Sequence, residues 1–176
     1  MDADGIPQST ALLRGGQEAL ARGAWKEARS AFEDVLEQRD PGRSSSGAAD
    51  RPEETAEVLW GLGNALWWLG EIREAVSWWE QAYAAFRPIE PVQATNIALQ
   101  LGFVFQANLG NDAAAAGWSA HAARLVGEFA LEPMRGWVLL LEATGSSDPD
   151  QGRDLAYEAR GAWLPSLGTG TSSYAP

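Results

Sequence analysis

One residue pattern occurs twice along this chain and constrains its fold more than any other feature. A glycine is followed by an apolar residue at +2, by alanine at +5 and by a large aromatic residue at +9. The two copies are Gly23, Trp25, Ala28 and Phe32, and Gly70, Ile72, Ala75 and Trp79. Spacings of three and four place side chains on one face of a helix, and glycine suits the turn before it. An internal repeat of this kind predicts stacked helical hairpins.

The stretch from residue 59 to residue 86 is the clearest of these hairpins. Before Gly70, a leucine recurs every three or four positions from Leu59 to Leu69, which indicates the buried face of a helix. After Gly70, apolar residues recur in the same way as far as Phe86. Gly63 has no side chain, so we expect the two helix backbones to approach each other closely there.

Four helix pairs are predicted, at about residues 10–38, 53–87, 90–129 and 133–163. Together they predict one all-α domain over residues 10–163, a right-handed superhelix of three to four antiparallel hairpins. Residues 1–9 are expected to be frayed, residues 39–52 to form a mobile loop and residues 164–176 to form a flexible tail. In the third pair Leu101-Gly102 resembles Leu62-Gly63, but one more residue precedes the turn at Gly110, so the register slips by one.

Composition excludes several classes of function. The net charge of −11 repels nucleic-acid phosphates, and direct binding of DNA or RNA is not expected. With no cysteine there are neither disulfides nor thiolate metal sites. Residues 1–13 lack the pattern of a signal peptide, and no run of 18 apolar residues could span a membrane. We therefore expect a cytoplasmic protein that does not contact membranes.

No constellation of catalytic residues stands out in the sequence. His121 is the only histidine, and on a helical pattern beside Trp118 it is typical of a packed or surface residue. The acids Glu53, Glu54 and Glu57 cluster at a predicted helix start, where negative charge favours the helix dipole. We expect no enzyme activity, no metal and no cofactor.

The repeat pattern resembles the tetratricopeptide repeat. The second pair fits best, and its matching residues are Trp60, Leu62, Gly63, Leu66, Gly70, Ala75 and Trp79. Residues 12–160 look more specifically like the repeat region of large bacterial LuxR-type transcriptional regulators. No helix-turn-helix pattern follows residue 163 and no phosphate-binding loop precedes residue 10, so only the binding role of the repeats is implied. The abrupt end suggests a fragment or a shortened relative of a longer regulator.

The resemblance implies a concave groove lined by the first helix of each pair. In this sequence the groove positions are Trp60, Asn64, Trp67 and Trp68 in the second pair, Gln17 in the first, and Asn96, Phe103 and Gln106 in the third. Aromatic rings alternating with amides can hold a peptide with little reading of its sequence. None of these positions is basic, so an apolar or cationic peptide is expected rather than an acidic one. The expected role is that of a regulatory or scaffold subunit.

Three other interpretations stay open. Trp60, Trp67 and Trp68 could instead belong to a packed core, since aromatic residues at helical spacing are usually buried. The repeats could instead enclose a small apolar ligand, in a dry cavity bounded by Trp60, Trp67, Phe103 and Phe105. Exposed tryptophans on a helical repeat would also suit a module that forms homodimers.

Overall fold

The computed structural model describes residues 8–38 and 51–167, and this part of the chain contains helices and no strands. The helices are α1 (Gln8–Ala21), α2 (Trp25–Gln38), α3 (Pro52–Trp68), α4 (Ile72–Phe86), α5 (Pro91–Ala107), α6 (Asp112–Glu128), α7 (Glu132–Gly145) and α8 (Pro149–Leu167). The prediction of an all-α protein is confirmed for these residues. Residues 1–7 of the predicted frayed start, residues 39–50 of the predicted loop and residues 168–176 of the predicted tail lie outside them.

The helices form two compact units, and the division falls between Glu90 and Pro91. In the first unit α1 packs on α2 and α3 packs on α4, while α3 also contacts α2 and α1. The second unit repeats this order: α5 packs on α6, α7 packs on α8, and α7 also contacts α6 and α5. In neither unit do the described residues of the first and fourth helices come within 8 Å between Cα atoms. Each unit is therefore two joined hairpins rather than a closed four-helix bundle.

The hairpins of the first unit close through the same turn. Gly23 and Gly70 have φ angles of 75° and 82°, in the left-handed region that favours glycine. In both turns the residue after the glycine donates its backbone N–H to the carbonyl oxygen five residues earlier. The N···O distances are 2.9 Å for Ala24 and 3.0 Å for Glu71. This is the Schellman arrangement, which satisfies backbone carbonyls at a helix end. In each case the next helix begins two residues after the glycine.

The first hairpin of the second unit closes with one residue more, as the sequence predicts. Gly110 has a φ angle of 61°. The N–H of Asn111 donates to the carbonyl oxygen of Phe105, six residues earlier, at 2.8 Å. The next helix nevertheless begins at Asp112, again two residues after the glycine. Positions on α2, α4 and α6 can therefore be compared by counting from their turn glycines.

Glycines in the first unit make room for aromatic rings. Phe32 and Trp79 are both fully buried, at 0% exposure, and each lies sixteen positions after a glycine of its own hairpin. A Cβ atom placed on Gly16 would lie 2.7 Å from the ring of Phe32, and one on Gly63 would lie 2.4 Å from that of Trp79. The space at Gly63 is thus taken by a side chain, whereas the sequence suggested a close approach of two backbones.

Candidate functional site

One face of α3 carries the predicted groove residues of the second hairpin. Trp60, Asn64 and Trp67 follow one another at spacings of four and three, and all three side chains are half-buried. Glu57 precedes them on the same face and is half-buried as well. The leucines of α3 lie on the other side of the helix, where Leu62 and Leu66 are buried. We call Trp60, Asn64 and Trp67 the α3 face.

The two rings of the α3 face rest on Trp79 of α4. The ring centroids of Trp60 and Trp79 are 6.0 Å apart with an interplanar angle of 39°. Those of Trp67 and Trp79 are 5.6 Å apart at 41°. Tilted contacts at these distances are favourable between aromatic rings. Because Trp79 is fully buried, its contacts fix the positions of both partly exposed rings.

Asn64 lies between the two rings and is oriented by the same tryptophan. The indole Nε1–H of Trp79 donates to Asn64 Oδ1 over 3.2 Å. An indole nitrogen can only donate, so this contact fixes which end of the amide is the oxygen. The amide NH₂ makes no hydrogen bond within the described residues. The α3 face therefore presents two hydrogen-bond donors between two aromatic rings.

Trp68, the fourth predicted groove residue of α3, has a different neighbour. It stacks on Trp25 of α2, with ring centroids 5.1 Å apart and planes within 11° of parallel. Its side chain is 62% exposed, so the outer ring surface remains accessible. Trp68 thus lies at the edge of the α3 face that is nearer to α2.

Gln17 of α1 lies next to this surface, as the sequence suggested. Its Nε2 donates to Glu57 Oε2 over 3.2 Å, which joins α1 to α3. Both side chains are accessible to solvent. The structure therefore brings Gln17 together with the α3 face within the first unit.

The remaining predicted groove residues lie on α5 in the second unit. Asn96 and Phe103 are one heptad apart and exposed, with Phe103 at 58%. Gln106 is half-buried, and its Oε1 accepts a hydrogen bond from Thr144 Oγ1 over 3.1 Å. Asn96 and Phe103 thus present an amide and an aromatic ring to solvent, whereas Gln106 turns toward α7.

A pocket of about 340 Å³ lies within the second unit. Its lining includes Gln106, Ser119, Leu141 and Glu142. Of these four residues, the sequence pattern predicted only Gln106 as a groove residue. A signal was present: Ser119 stands nine residues after Gly110, where Phe32 and Trp79 stand after Gly23 and Gly70.

Histidine and acidic side chains are the other groups in the described residues that could transfer a proton or hold a metal ion. His121 contacts the ring of Trp118, with centroids 5.3 Å apart, and its Nδ1 lies 3.1 Å from Arg124 Nη2. Among residues 8–38 and 51–167 no three acidic or histidine side chains converge in a way that could hold a metal ion. No helix in that part of the chain has the length and apolar character needed to cross a membrane.

Comparisons with known proteins gave no match. No protein-family model, no curated protein and no solved structure matches the chain. The tetratricopeptide resemblance therefore rests on the residues of this sequence alone.

Proposed function

We propose that this protein is a non-catalytic helical-repeat module, similar to the tetratricopeptide type, that binds a peptide segment of a protein partner. The α3 face of the first unit is the proposed contact surface, with Gln17 and Trp68 at its edges. In the second unit the proposed contact residues are Asn96, Phe103 and Gln106 of α5. The role would be that of a regulatory or scaffold subunit, in line with the resemblance to LuxR-type regulators.

The repeated register of the first unit supports the tetratricopeptide part of this proposal. Both hairpins have a glycine on the first helix that accommodates an aromatic ring from the second, sixteen positions later. Both close through the same left-handed glycine turn. Repeats with one internal geometry are the units from which superhelical solenoids are built, with the first helices on the inner side. In that arrangement α1 and α3 line the groove.

The observation that carries the binding proposal is the construction of the α3 face. Two partly exposed tryptophans, Trp60 and Trp67, are fixed on buried Trp79, which also orients Asn64 between them. Rigid aromatic rings supply large contact areas with little loss of side-chain freedom, so such surfaces are typical of binding hot spots. The amide donors of Asn64 can pair with the backbone carbonyls of a bound peptide.

Charge indicates the kind of peptide. Glu53 and Glu57 lie on α3 one helical turn apart, on the side that carries Trp60. The net charge of −11 adds a long-range field that attracts cations. An apolar peptide with basic residues at its ends would bury its apolar side chains on the rings and place its charges near these acids.

The test is a selection of phage-displayed peptides on the purified protein, followed by affinity measurements with individual synthetic peptides. Trp60→Ala should weaken the selected peptides by about tenfold or more, as expected for a tryptophan at the centre of a contact. Trp137→Ala makes the same chemical change on α7 of the second unit and should leave their affinity unchanged. Asn64→Ala should also weaken binding, because it removes the amide donors.

Thermal unfolding separates binding from packing. Since Trp60 is only half-buried, its truncation should lower the melting temperature by a few degrees, less than the loss of a fully buried tryptophan would. If the proposal fails, either no peptides are recovered, or they bind Trp60→Ala as well as the unchanged protein. A collapse of the melting temperature in Trp60→Ala would also count against it, because the ring would then belong to the core.

The two other interpretations lead to different results in the same set of experiments. A homodimer would show a mass that rises with protein concentration in light scattering, and Trp68→Ala or Phe103→Ala would reverse the rise. The pocket in the second unit is not the dry cavity that a small apolar ligand would need, because Ser119, Glu142 and Asp112 place polar and charged groups in its wall. The peptide proposal is therefore preferred.

A further inference from the structure

A ring-sized side chain is missing from the second unit where the first unit has one. Counting nine residues from the turn glycine gives Phe32 on α2 and Ser119 on α6. Both side chains are buried, at 0% and 5% exposure. The ring of Phe32 fills the space between Gly16 of α1 and Gly61 of α3. A serine in the same place leaves most of that volume to be filled by something else.

Leu141 of α7 fills part of that volume. A Cβ atom placed on Gly102 of α5 would lie 2.5 Å from Leu141 Cδ2, so this leucine lies against the α5 glycine. Ser119 Oγ donates a long hydrogen bond of 3.4 Å to Glu142 Oε1 on the same helix α7. The remaining space is the pocket of about 340 Å³ between α6, α7, the end of α5 and the start of α8. That volume is at the lower end for small-molecule sites.

The walls of the pocket carry negative charge without a counter-charge. Asp112 and Glu142 both line it, and its lining contains no lysine or arginine. Neither carboxylate forms an ion pair within the described residues. Gln106 and Gln151 add polar groups, and Leu141 supplies an apolar surface. Carboxylates at the edge of a restricted space favour a cationic ligand that brings its own hydrogen-bond donors.

The first unit carries a cation at the corresponding position. Six residues after the turn glycine, α2 has Arg29 where α6 has Ala116, a residue of the pocket wall. The Arg29 guanidinium donates to Glu33 Oε1 at 2.8 Å and to both carboxylate oxygens of Glu71 at 2.9 and 3.0 Å. In the second unit alanines stand at the positions of both Arg29 and Glu33, namely Ala116 and Ala120, and the acids of the pocket wall, Asp112 and Glu142, come from other positions.

We propose that the pocket binds a guanidinium group carried on a short aliphatic chain, from a small molecule or from an arginine side chain of a peptide. The planar guanidinium has five N–H donors and matches a carboxylate such as Glu142 with two parallel hydrogen bonds. Asp112 contributes a second negative charge at the mouth, and the aliphatic chain lies against Leu141. This site is independent of the α3 face in the first unit.

Isothermal titration calorimetry on the full chain tests the proposal with three probes: agmatine, N-acetylarginine amide and N-acetylcitrulline amide. Citrulline has the shape of arginine but carries a neutral urea. At least one of the two guanidinium probes should bind with a dissociation constant of about 1 mM or below, and the citrulline probe at least tenfold more weakly. Preference for agmatine would indicate a free small molecule, and preference for the arginine amide a peptide side chain.

Variants assign the binding to this pocket. Glu142→Gln keeps the shape and removes the charge, so it should weaken the guanidinium probe about tenfold or more. Ser119→Phe restores the residue type of α2 and should abolish binding by filling the space; Ala116→Leu serves if that variant does not fold. Glu128→Gln, an exposed acid on α6 outside the lining, and Trp60→Ala should both bind the probe normally.

The proposal is overturned if neither guanidinium probe binds, or if the citrulline probe binds equally well. It is also overturned if Glu142→Gln, or a folded pocket-filling variant, binds as tightly as the unchanged protein. The Trp60→Ala variant leaves the pocket intact. Loss of peptide binding in Trp60→Ala and loss of guanidinium binding in Glu142→Gln would therefore be separate results.

Discussion

The two units order their four helices in the same way but fill the centre of the fold differently. In the first unit, Phe32 projects from the second helix into a gap bordered by Gly16 and Gly61 on the helices around it. In the second unit, Ser119 occupies the same position, and Leu141 enters from the third helix to contact Gly102. In the first unit an aromatic ring fills this space, and in the second unit a pocket remains.

This difference shows how one arrangement of helices can serve stability in one place and leave space for a ligand in another. A fully buried aromatic ring contributes several kcal/mol, most of which is lost if its volume is left empty. The second unit forgoes that contribution at Ser119 and has polar groups, including Glu142, around the space. We therefore expect substitutions at equivalent positions of the two units to have very different effects.

The largest expected effect is that of Phe32→Ala. The ring is fully buried and contacts glycines on two helices, which have no side chains that could move in to fill the cavity. Truncation should lower the free energy of unfolding of the first unit by about 3–5 kcal/mol. Urea unfolding followed by circular dichroism would measure the change as a transition at lower urea concentration.

Ser119→Ala is the matched control at the corresponding position of the second unit. It removes one oxygen whose hydrogen bond to half-exposed Glu142 is long, at 3.4 Å. The change in unfolding free energy should stay below about 1 kcal/mol. Equal losses from Phe32→Ala and Ser119→Ala would contradict the idea that only the first unit is sealed at this position.

An intermediate effect is expected from Gly16→Ala. The added Cβ atom would lie 2.7 Å from the Phe32 ring, so the ring or the helix must shift, at a cost of about 1–3 kcal/mol. Gly15→Ala is a control one residue away, because nothing lies within 4 Å of its Cβ position. That substitution should stabilise α1 by about 0.5–1 kcal/mol through helix propensity. Opposite signs in urea unfolding would confirm the role of the glycine, and a stabilising Gly16→Ala would refute it.

Much of the fold could be predicted from the sequence because its signals are local. The left-handed turns at Gly23 and Gly70 and the helices that follow them depend on a few neighbouring residues. The buried alanines Ala28 and Ala75 follow from helical spacing in the same way. The extra residue before Gly110 also indicated correctly that the third turn would be longer.

The candidate sites could be predicted only in part because they depend on contacts between helices. Helical spacing put Trp60, Asn64 and Trp67 on one face, but the hydrogen bond that orients Asn64 comes from Trp79 on another helix. The pocket depends on Leu141 reaching Gly102 from a helix much later in the chain. Such contacts follow from the way the hairpins pack, which periodicity within one helix does not determine.

The smallest expected effect concerns the backbone of the second unit. Ala130, between α6 and α7, has a φ angle of 51°, in the same left-handed region as the turn glycines. This conformation costs an alanine about 1 kcal/mol or more relative to glycine, which exceeds the entropy that glycine adds to the unfolded chain. Because Ala130 is exposed, Ala130→Gly sacrifices no buried contact and should stabilise the second unit by about 0.5 kcal/mol.

The reverse substitution, Gly70→Ala, introduces the same strain into the first unit. Nothing lies within 4 Å of its Cβ position, so the backbone angle alone should determine the loss of about 1 kcal/mol. Urea unfolding of the two variants side by side would give shifts of opposite sign. If Ala130→Gly proved destabilising, Ala130 would not carry the backbone strain that glycine avoids at positions 23 and 70 of the first unit.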